Sequence, residues 1–442
     1  MQDYKAFFTG KKITVVGLGL LGRGLGDIAF LAECGAEVTV TDLKTREQLK
    51  ESFDTLAKYS NIRFVLGEHR LEDFRDRDMV LKAPKMPLNS PYVVEAKKSG
   101  AHVTMSAALF VRLAEIPIIG VTGTRGKTTT TYMIAEALKR DGRNVLVGGN
   151  VQGVSTLSLL PTVQSDSVAV LELDSWQLQG FREEKISPQI AVFTTFYPDH
   201  MDYYGGNMDL YLADKAEIFL HQDESDTLIA GEQALPAIKR KYGSRVRSKV
   251  VKAGLRSLPV SWKLQIPGDH NRYNAGCALE ALRAFGADDE VTREAFEGFK
   301  AVPGRLEFVR EVRGIRIYND TTSTTPEAAI AGIKALDSGK RNVILIMGGS
   351  DKNLDMTELW KEIQSRCKAL YFLAGSGIDR IRHEAPHVPI YQSLKEVLDA
   401  ALAGANPGDT ILFSPALASF GMFKNEYDRG DQFMSLVQSF AQ

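Results

Sequence analysis

One stretch, residues 120–130 with the sequence GVTGTRGKTTT, limits what this chain can fold into more than any other. It follows the apolar run IPII and precedes a helix-like segment, so the predicted order is strand, glycine-rich loop and helix. That order is typical of α/β domains that bind phosphate at the N-terminus of the helix. The usual spacing GxxxxGK[ST] requires a glycine where this chain has Val121, so the loop is a shortened form.

The same strand–loop–helix order recurs along the chain and predicts three α/β blocks. In the first block, GLGLLG places Gly17, Gly19 and Gly22 at the GxGxxG spacing of a nucleotide-binding βαβ unit. Asp42 ends the next predicted strand, as such a unit requires. We therefore predict an α/β fold with three domains: an N-terminal Rossmann-like domain over 1–110, a central P-loop-type ATPase domain over 111–302, and a C-terminal Rossmann-like, doubly wound domain over 303–442.

Composition and charge narrow the possible partners. The 442 residues are 44% hydrophobic and 25% charged with a net charge of -1, which gives no electrostatic reason to expect nucleic acid or an anionic membrane. No apolar run approaches the ~18 residues needed to cross a bilayer, and the N-terminus lacks the apolar segment of a signal peptide. The three cysteines are widely separated, which favours reduced thiols. We expect a cytoplasmic monomer without a nucleic-acid or membrane partner.

The shortened loop carries the residue types that ATP chemistry needs. Gly123 and Gly126 let the backbone fold around phosphate oxygens, and Lys127 supplies a positive charge. The Thr128 hydroxyl is a suitable ligand for magnesium, as is Glu172 at the end of the predicted strand SVAVLE. The alternative is a chance Gly-Lys-Thr in a surface turn, which the flanking strand and helix disfavour.

Each of the other candidate residues is weak evidence for a functional role when it is taken alone. His200 lies in PDHMDYY between two acidic residues, but a single histidine is most often structural. Lys215 in LADKAEIF is typical of a solvated charge on a helix. Asn271 and Asn274 in GDHNRYNA are typical of turn or capping residues. Arg305 in VPGRLE is equally uninformative on its own.

The order of these segments resembles the Mur ligase family, which builds the peptide of the peptidoglycan precursor. The segments that carry the resemblance span residues 122–430 and are TGTRGKTTT, GGN, LELDSWQL, PDHMDYY, DKAEIF, GDHNRYNA, VPGRLE, YNDTTSTTPEA, GGSDKN, SPALASF and FKNEYDRG. The N-terminal domain is similar to that of the glutamate-adding member. The resemblance implies that the chain joins D-glutamate to UDP-N-acetylmuramoyl-L-alanine through an acyl phosphate, with ATP and Mg²⁺.

The resemblance also implies roles for individual residues. The ATP site would comprise Gly123, Thr124, Gly126, Lys127, Thr128, Thr129, Asn271, Asn274, Arg305 and Asp320. Magnesium would be held by Thr128, Glu172, His200 and a carbamoylated Lys215. The UDP-sugar would be bound by Gly17, Gly19, Leu20, Leu21, Asp42 and Asn150. Glutamate would be bound by Thr324, Lys352 and Ser419. The catalytic residues would be Lys127, His200 and Lys215.

Several alternatives stay open at this point. Asp174 replaces the expected serine, KAPKMP replaces an SPG-type turn, and Glu426 replaces an aromatic residue. Together with STTP at 323–326, the last change keeps an L-glutamate-adding ligase possible, and a folylpolyglutamate-synthase-like ligase is a further alternative. From other classes, an NAD-dependent dehydrogenase would leave the phosphate loop unused, and a non-catalytic nucleotide-gated binding protein would need fewer of these residues.

Overall fold

The computed structural model describes residues 3–18 and 22–440 and contains three β-sheets. The chain divides into two compact units, one formed by residues up to Val260 with Tyr273–Phe296, the other by Ser261–Arg272 with the residues from Glu297 onward. The first two sheets lie in the first unit and the third sheet lies in the second. The three-domain α/β architecture is confirmed, whereas the exact boundaries at 110 and 302 stay predictions. Among the described residues, no helix is both long and apolar enough to cross a membrane.

The first sheet has five parallel strands in the order β3-β2-β1-β4-β5. The strands are β1 (Lys12–Val16), β2 (Glu37–Asp42), β3 (Ile62–Leu66), β4 (Met79–Leu81) and β5 (His102–Thr104). The helices are α1 (Tyr4–Phe8), α2 (Arg23–Glu33), α3 (Lys50–Leu56), α4 (Pro91–Lys98) and α5 (Ser106–Ala114), with a 3₁₀ turn at Leu71–Phe74. The predicted Rossmann-like order, with the chain reversing direction at β1, is thus present.

The central sheet has six parallel strands in the order β11-β10-β9-β6-β8-β7. The strands are β6 (Ile118–Thr122), β7 (Asn144–Gly149), β8 (Ser167–Glu172), β9 (Ile190–Phe193), β10 (Thr227–Gly231) and β11 (Lys249–Ala253). The helices are α6 (Lys127–Arg140), α7 (Gln177–Glu184), α8 (Met208–Ala216), α9 (Leu235–Tyr242), α10 (Asp269–Phe285) and α11 (Asp289–Gly298), with 3₁₀ turns at Leu157–Thr162 and Leu255–Ser257. β6 and β8 are buried along their whole length because helices cover both faces.

The first two sheets share one hydrophobic core. A continuous cluster of buried side chains runs from Ile13 on β1 to Leu228 on β10. Leu109 and Phe110 on α5 belong to this cluster together with Phe181 on α7. Burial of apolar surface on both sides of α5 therefore joins the two sheets into one compact unit.

The third sheet has six strands in the order β12-β13-β17-β14-β15-β16, of which only the β12–β13 pair is antiparallel. The strands are β12 (Glu307–Val312), β13 (Ile315–Asn319), β14 (Val343–Gly348), β15 (Cys367–Leu373), β16 (Ile390–Tyr391) and β17 (Thr410–Phe413). The helices are α12 (Pro326–Leu336), α13 (Thr357–Arg366), α14 (Ser376–Ile381), α15 (Leu394–Ala403) and α16 (Glu426–Ser439), with a 3₁₀ turn at Arg382–Glu384.

The burial of β14 shows that the third sheet is doubly wound. Val343, Leu345 and Met347 belong to a cluster on one face, while Ile344 and Ile346 belong to a cluster on the other. Alternate side chains of a strand point to opposite faces, so both faces are covered by helices. This confirms the predicted C-terminal architecture.

The β12–β13 hairpin was not predicted from the sequence. Its two-residue turn consists of Arg313 and Gly314, both with positive φ angles (50° and 77°). Such turns match the twist of antiparallel strands, but they normally carry Asn or Asp before the glycine. Because arginine occupies the first turn position, the Asn-Gly or Asp-Gly sequence that usually identifies a hairpin is absent.

We predict that Phe433→Leu destabilises the second unit. Phe433 on α16 stacks on Phe413 of β17 with ring centroids 4.5 Å apart and planes 18° apart, and both side chains are fully buried. Leucine leaves part of this volume empty, which should lower the free energy of unfolding by about 1–2 kcal/mol. Denaturant unfolding followed by circular dichroism measures the change, and unaltered stability would contradict the packing described here.

Candidate active site

The shortened phosphate loop connects β6 to α6 and is held against the end of β9. The Thr124 N–H donates to the Thr195 carbonyl (2.7 Å), and the Arg125 N–H donates to the Thr195 hydroxyl (2.9 Å). A Cβ on Gly123 would lie 2.0 Å from Thr194 Oγ1, and one on Gly126 would lie 2.2 Å from Asn274 Oδ1. Both glycines also have positive φ angles, so any side chain would disrupt this loop.

Two lysines donate to the same backbone oxygen of the loop. Lys127 Nζ lies 3.1 Å from the Gly123 carbonyl and Lys215 Nζ, on α8, lies 2.8 Å from it. Lys215 is 1% exposed and also donates to the Thr122 hydroxyl (3.3 Å). Burial lowers the pKa of Lys127, and burial together with the charge of Lys127 lowers the pKa of Lys215 well below its usual range. The arrangement therefore favours a neutral amine at Lys215.

Glu172 brings a carboxylate to the same edge of the central sheet. It is the last residue of β8 and is 3% exposed. Its Oε1 accepts a hydrogen bond from Asn150 Nδ2 (3.2 Å), whereas its buried Oε2 has no hydrogen-bond partner among the residues described. Buried carboxylate oxygens are normally satisfied, so this one is available to a ligand. The end of β7 can lie this close to Glu172 because Gly149 has no side chain; a Cβ there would lie 2.0 Å from the Glu172 carbonyl oxygen.

His200 follows β9 and has a positive φ angle of 55°. Its imidazole packs on the Trp176 ring, with centroids 4.4 Å apart, and its Nε2 lies 3.8 Å from Asp199 Oδ2. Asp199 is itself paired with Arg125 at 2.9 Å. Burial lowers the pKa of His200, which favours the neutral ring that can act as a metal ligand.

These residues fit a bound nucleotide and a magnesium ion. Glu172 Oε2 and the Thr128 hydroxyl at the start of α6 are oxygen donors, which magnesium prefers. The imidazole of His200 is a further, nitrogen donor. Within the described chain, no group of three His, Cys, Asp or Glu side chains could form a metal site alone. Magnesium typically takes one or two protein carboxylates and completes its shell with water and substrate phosphates, so the donor set suits it.

The glycine-rich loop of the first domain is only partly described. Gly17 has a φ of 86°, and its N–H donates to the Thr41 carbonyl (2.8 Å). Asp42 Oδ2 accepts a hydrogen bond from the Leu18 N–H (2.9 Å), which holds the start of the loop against the end of β2. The predicted contacts of Gly19, Leu20 and Leu21 lie outside the described residues.

Asn150 links the loop of the first domain to Glu172. Its Oδ1 accepts a hydrogen bond from Arg23 at the start of α2, while its Nδ2 donates to Glu172. Arg23 directly follows the glycine motif but was not predicted as a site residue, because a charge at the start of a helix is usually solvated. The structure thus brings the predicted UDP-sugar residue Asn150 next to a predicted magnesium ligand.

A cavity of about 230 Å³ lies beside this link in the first unit. Among its lining residues are Gly17, Arg23, Asp27, Lys82, Gly149 and Gln177. Lys82, which is 5% exposed, donates to the carbonyls of Ala83 (3.0 Å), Pro84 (3.2 Å) and Met86 (2.9 Å). It thereby fixes the KAPKMP turn that faces the cavity. Lys82 was not predicted as a site residue, because a lysine after a short strand is most often exposed.

The remaining nucleotide candidates occupy both units. Asn274 lies beside Gly126 of the phosphate loop in the first unit. In the second unit, Asn271 Nδ2 donates to the Pro267 carbonyl (2.8 Å). Also in the second unit, Asp320 accepts from the Leu306 N–H (2.9 Å) and lies near the charge of Arg305. Burial raises the pKa of Asp320 to about 7.

The three acceptor candidates meet at the carboxyl ends of the third sheet. Lys352 Nζ donates to the hydroxyl (3.2 Å) and the carbonyl (3.3 Å) of Thr324. Ser350 and Ala418 pair through two backbone hydrogen bonds, which bring the loop of buried Ser419 to the loop of Lys352. Their role in binding glutamate stays a prediction.

Three family models match successive parts of the chain. The Mur ligase MurD-like N-terminal domain matches residues 11–105, the Mur ligase middle domain matches 121–258, and the Mur ligase glutamate ligase domain matches 304–417. A UDP-N-acetylmuramoylalanine–D-glutamate ligase of Roseiflexus sp. is 37% identical, with 98% of this chain and 99% of the relative covered. The enzyme of the same name from Borreliella burgdorferi is 34% identical, with 96% and 97% covered.

Several solved structures share the fold of this chain although their sequences are only distantly similar to it. The UDP-N-acetylmuramate-alanine ligase MurC of Thermotoga maritima has a TM-score of 0.62 at 19% identity, covering 97% of this chain and 99% of that one. The MurF ligase of Thermotoga maritima, solved with ADP, has a TM-score of 0.61 at 16% identity, covering 99% and 98%. E. coli FolC with ADP has a TM-score of 0.55 at 18% identity, covering 76% and 92%.

We predict that Lys82→Met changes how stability depends on pH. Burial lowers the pKa of Lys82 to about 8, against 10.5 in the unfolded chain. Between these values the unfolded chain binds a proton that the folded chain does not, so this lysine makes stability rise with pH. The unfolding temperature of the wild type should therefore rise relative to that of Lys82→Met as the pH increases from neutral through this window. A difference that is constant with pH would contradict the burial of this amine.

Proposed function

Because the chain belongs to the Mur ligase family, we propose that it joins D-glutamate to UDP-N-acetylmuramoyl-L-alanine with ATP as the energy source. One observation carries the proposal: Lys127 and Lys215 converge on the Gly123 carbonyl, and both lie in the field of the Glu172 carboxylate. A Rossmann-like dehydrogenase has no use for this arrangement. The full-length identity to D-glutamate ligases supports the choice of acceptor.

The proposed reaction has two steps. The donor carboxylate attacks the γ-phosphorus of ATP, and the bond to ADP breaks to give an acyl phosphate and ADP. The neutral amine of glutamate then attacks the acyl carbon, releases inorganic phosphate and loses a proton as the amide forms. Lys127 neutralises phosphate oxygens in the first step, and the backbone N–H groups of the phosphate loop orient the nucleotide. Magnesium, when bound, supplies further charge neutralisation at these oxygens.

We propose that Thr128, Glu172, His200 and a carbamoylated Lys215 hold the magnesium ions. Carbon dioxide adds to a neutral lysine amine, forming an N–C bond and releasing one proton, which converts the neutral amine into an anionic oxygen ligand. The lowered pKa of Lys215 supports this chemistry because the neutral amine is the reactive form. The unpartnered Glu172 Oε2 supports a cation beside it.

We also propose that the protein acts in the cytoplasm as a monomer. Cys34, Cys277 and Cys367 are free and buried, which agrees with a reducing compartment. Size-exclusion chromatography with light scattering tests the oligomeric state, and a dimer would contradict it.

The function is tested by supplying each glutamate enantiomer separately. Purified protein is incubated with UDP-N-acetylmuramoyl-L-alanine, ATP and Mg²⁺, and both phosphate release and the ligated product are measured. We expect ligation with D-glutamate and none with L-glutamate. Ligation of L-glutamate alone would place the chain with the L-glutamate-adding ligases, to which STTP and Glu426 point. Activity with a folate acceptor instead of the UDP-sugar would also contradict the proposal.

We predict that Lys215→Ala inactivates the enzyme and that acetate partly restores activity. Loss of an anionic ligand at the phosphate-transfer site should lower kcat by about 10²–10³-fold. Acetate can enter the space left by the side chain and supply the missing oxygens. Lys127→Ala is the matched control, since Lys127 donates to the same Gly123 carbonyl but acts as a cation.

The contrast between the two variants decides the role of Lys215. Acetate should stimulate Lys215→Ala and not Lys127→Ala, with ionic strength held constant by chloride. Calorimetric titration should show that both variants still bind the UDP-sugar. Wild-type activity in Lys215→Ala would remove this residue from the mechanism.

A further inference from the structure

Arg429 is a buried cation to which the proposed reaction assigns no role. It lies on α16 and is 0% exposed. Burial lowers the pKa of its guanidinium to about 10, so the group remains charged at neutral pH. Removing a charge from water is unfavourable unless hydrogen bonds compensate for it, and a fully buried arginine therefore has a structural or functional reason.

Within the part of the chain that the structure describes, the hydrogen bonds of Arg429 go to two loops and to no carboxylate. Its Nη2 donates to the Thr321 carbonyl (2.7 Å), and its Nε donates to the Thr321 hydroxyl (3.1 Å). Its Nη1 donates to the Leu417 carbonyl (3.4 Å). Thr321 follows β13 and Leu417 follows β17, so the guanidinium spans the ends of two adjacent strands.

A third loop, after β14, packs on the same guanidinium. A Cβ on Gly349 would lie 3.4 Å from Arg429 Nη1 and 2.1 Å from the Ala418 carbonyl, so only glycine allows this approach. The next residue, Ser350, forms two backbone hydrogen bonds with Ala418 (2.8 and 3.2 Å). Arg429 thus contacts or adjoins all three loops that leave β13, β14 and β17.

These three loops carry the acceptor candidates. Thr324 lies three residues after Thr321, Lys352 lies three residues after Gly349, and Ser419 lies two residues after Leu417. Lys352 also donates to Thr324, so the loop after β14 contacts the loop after β13 directly. The distances among the three acceptor candidates therefore depend on Arg429, which contacts the first residues of their loops.

We propose that Arg429 is a positioning residue for the acceptor amino acid, acting through Thr321 and Leu417 on the loops of Thr324, Lys352 and Ser419. The inference rests on the proposed function, because it assumes that these three residues bind the acceptor. An arginine suits the role since its planar fork donates in several fixed directions at once. A lysine keeps the charge but places its donors on a single atom, so it cannot hold both loops in the same geometry.

The test compares variants of Arg429 with a matched control on the same helix. Arg429→Lys keeps the charge and Arg429→Gln removes it, and both lose the fork. Phe433→Leu weakens the packing of α16 on β17 but leaves the three loops untouched. KM is measured for the acceptor, ATP and UDP-N-acetylmuramoyl-L-alanine, and unfolding is followed for every variant.

We expect both Arg429 variants to raise the acceptor KM by about 10- to 100-fold, because small displacements of binding groups weaken productive binding. The KM values for ATP and the UDP-sugar should stay unchanged. Phe433→Leu should lower stability while leaving all three KM values at the wild-type level. A general loss of stability cannot explain a rise in the acceptor KM alone, because Phe433→Leu also loses stability but should keep all three KM values.

A substitution at Thr321 tests the inference even if the Arg429 variants do not fold. Thr321→Val removes the hydroxyl acceptor of Nε without exposing or deleting the buried charge. It should raise the acceptor KM in the same direction by a smaller factor. In a double-mutant cycle, Arg429→Lys and Lys352→Ala should be non-additive, because both act on the same bound acceptor.

The outcomes separate the inference from the function on which it rests. If the wild type ligates neither glutamate enantiomer, the proposed function fails and the inference fails with it. If the wild type ligates glutamate but Arg429→Lys, Arg429→Gln and Thr321→Val all retain its acceptor KM, the inference alone is overturned. Equal increases in all three KM values for the Arg429 variants would likewise overturn it, because a specific effect on the acceptor is required.

Discussion

The carbonyl oxygen of Gly123 accepts hydrogen bonds from two lysines, and the candidate active site is arranged around that shared contact. Two ammonium groups this close would repel each other, so burial and mutual repulsion favour a neutral amine at Lys215. The geometry requires the loop to stay close to β9, and Gly123 permits this because it has no Cβ. Burial of the two lysines, together with their mutual repulsion, therefore lowers the pKa of Lys215 and supports the proposed carbamate, while the close approach to Thr194 accounts for the glycine.

Both units build their sites by the same physical rule. The carboxyl ends of neighbouring parallel strands meet at one edge, and glycines there let loops approach more closely than other residues could. In the first unit Gly149 comes against the Glu172 carbonyl, and in the second Gly349 comes against the Ala418 carbonyl. Polar side chains from distant parts of the sequence are thereby gathered at each sheet edge.

Asp174 shows how a departure from the family pattern fits this arrangement. Its negative charge raises the pKa values of Lys82, Lys127 and Lys215, against the lowering that burial imposes on each. A serine at this position would supply no such charge. Asp174 and Lys82 both belong to segments that differ from the expected motifs, and their charges act on each other across the first unit.

Local sequence patterns were sufficient for the architecture and for the phosphate loop, whereas most other site candidates came from the resemblance to a family. The order of strand, glycine-rich loop and helix predicted the phosphate loop, and Asp42 was expected at the strand end where it contacts the glycine loop. Apolar strands bounded by glycines predicted three sheets, because parallel strands are buried on both faces. The β12–β13 hairpin escaped prediction because its turn begins with Arg313 instead of Asn or Asp.

The sequence by itself determined the three α/β blocks and the phosphate loop, since these depend on short-range spacing. Tertiary structure alone decided that Lys215 and Gly123, 92 positions apart, share a hydrogen bond. It also decided that Arg429 is buried beneath three loops and that Lys82 fixes the turn beside the cavity. Burial and charge–charge distance set the protonation and role of such groups, and both quantities exist only once distant segments pack together.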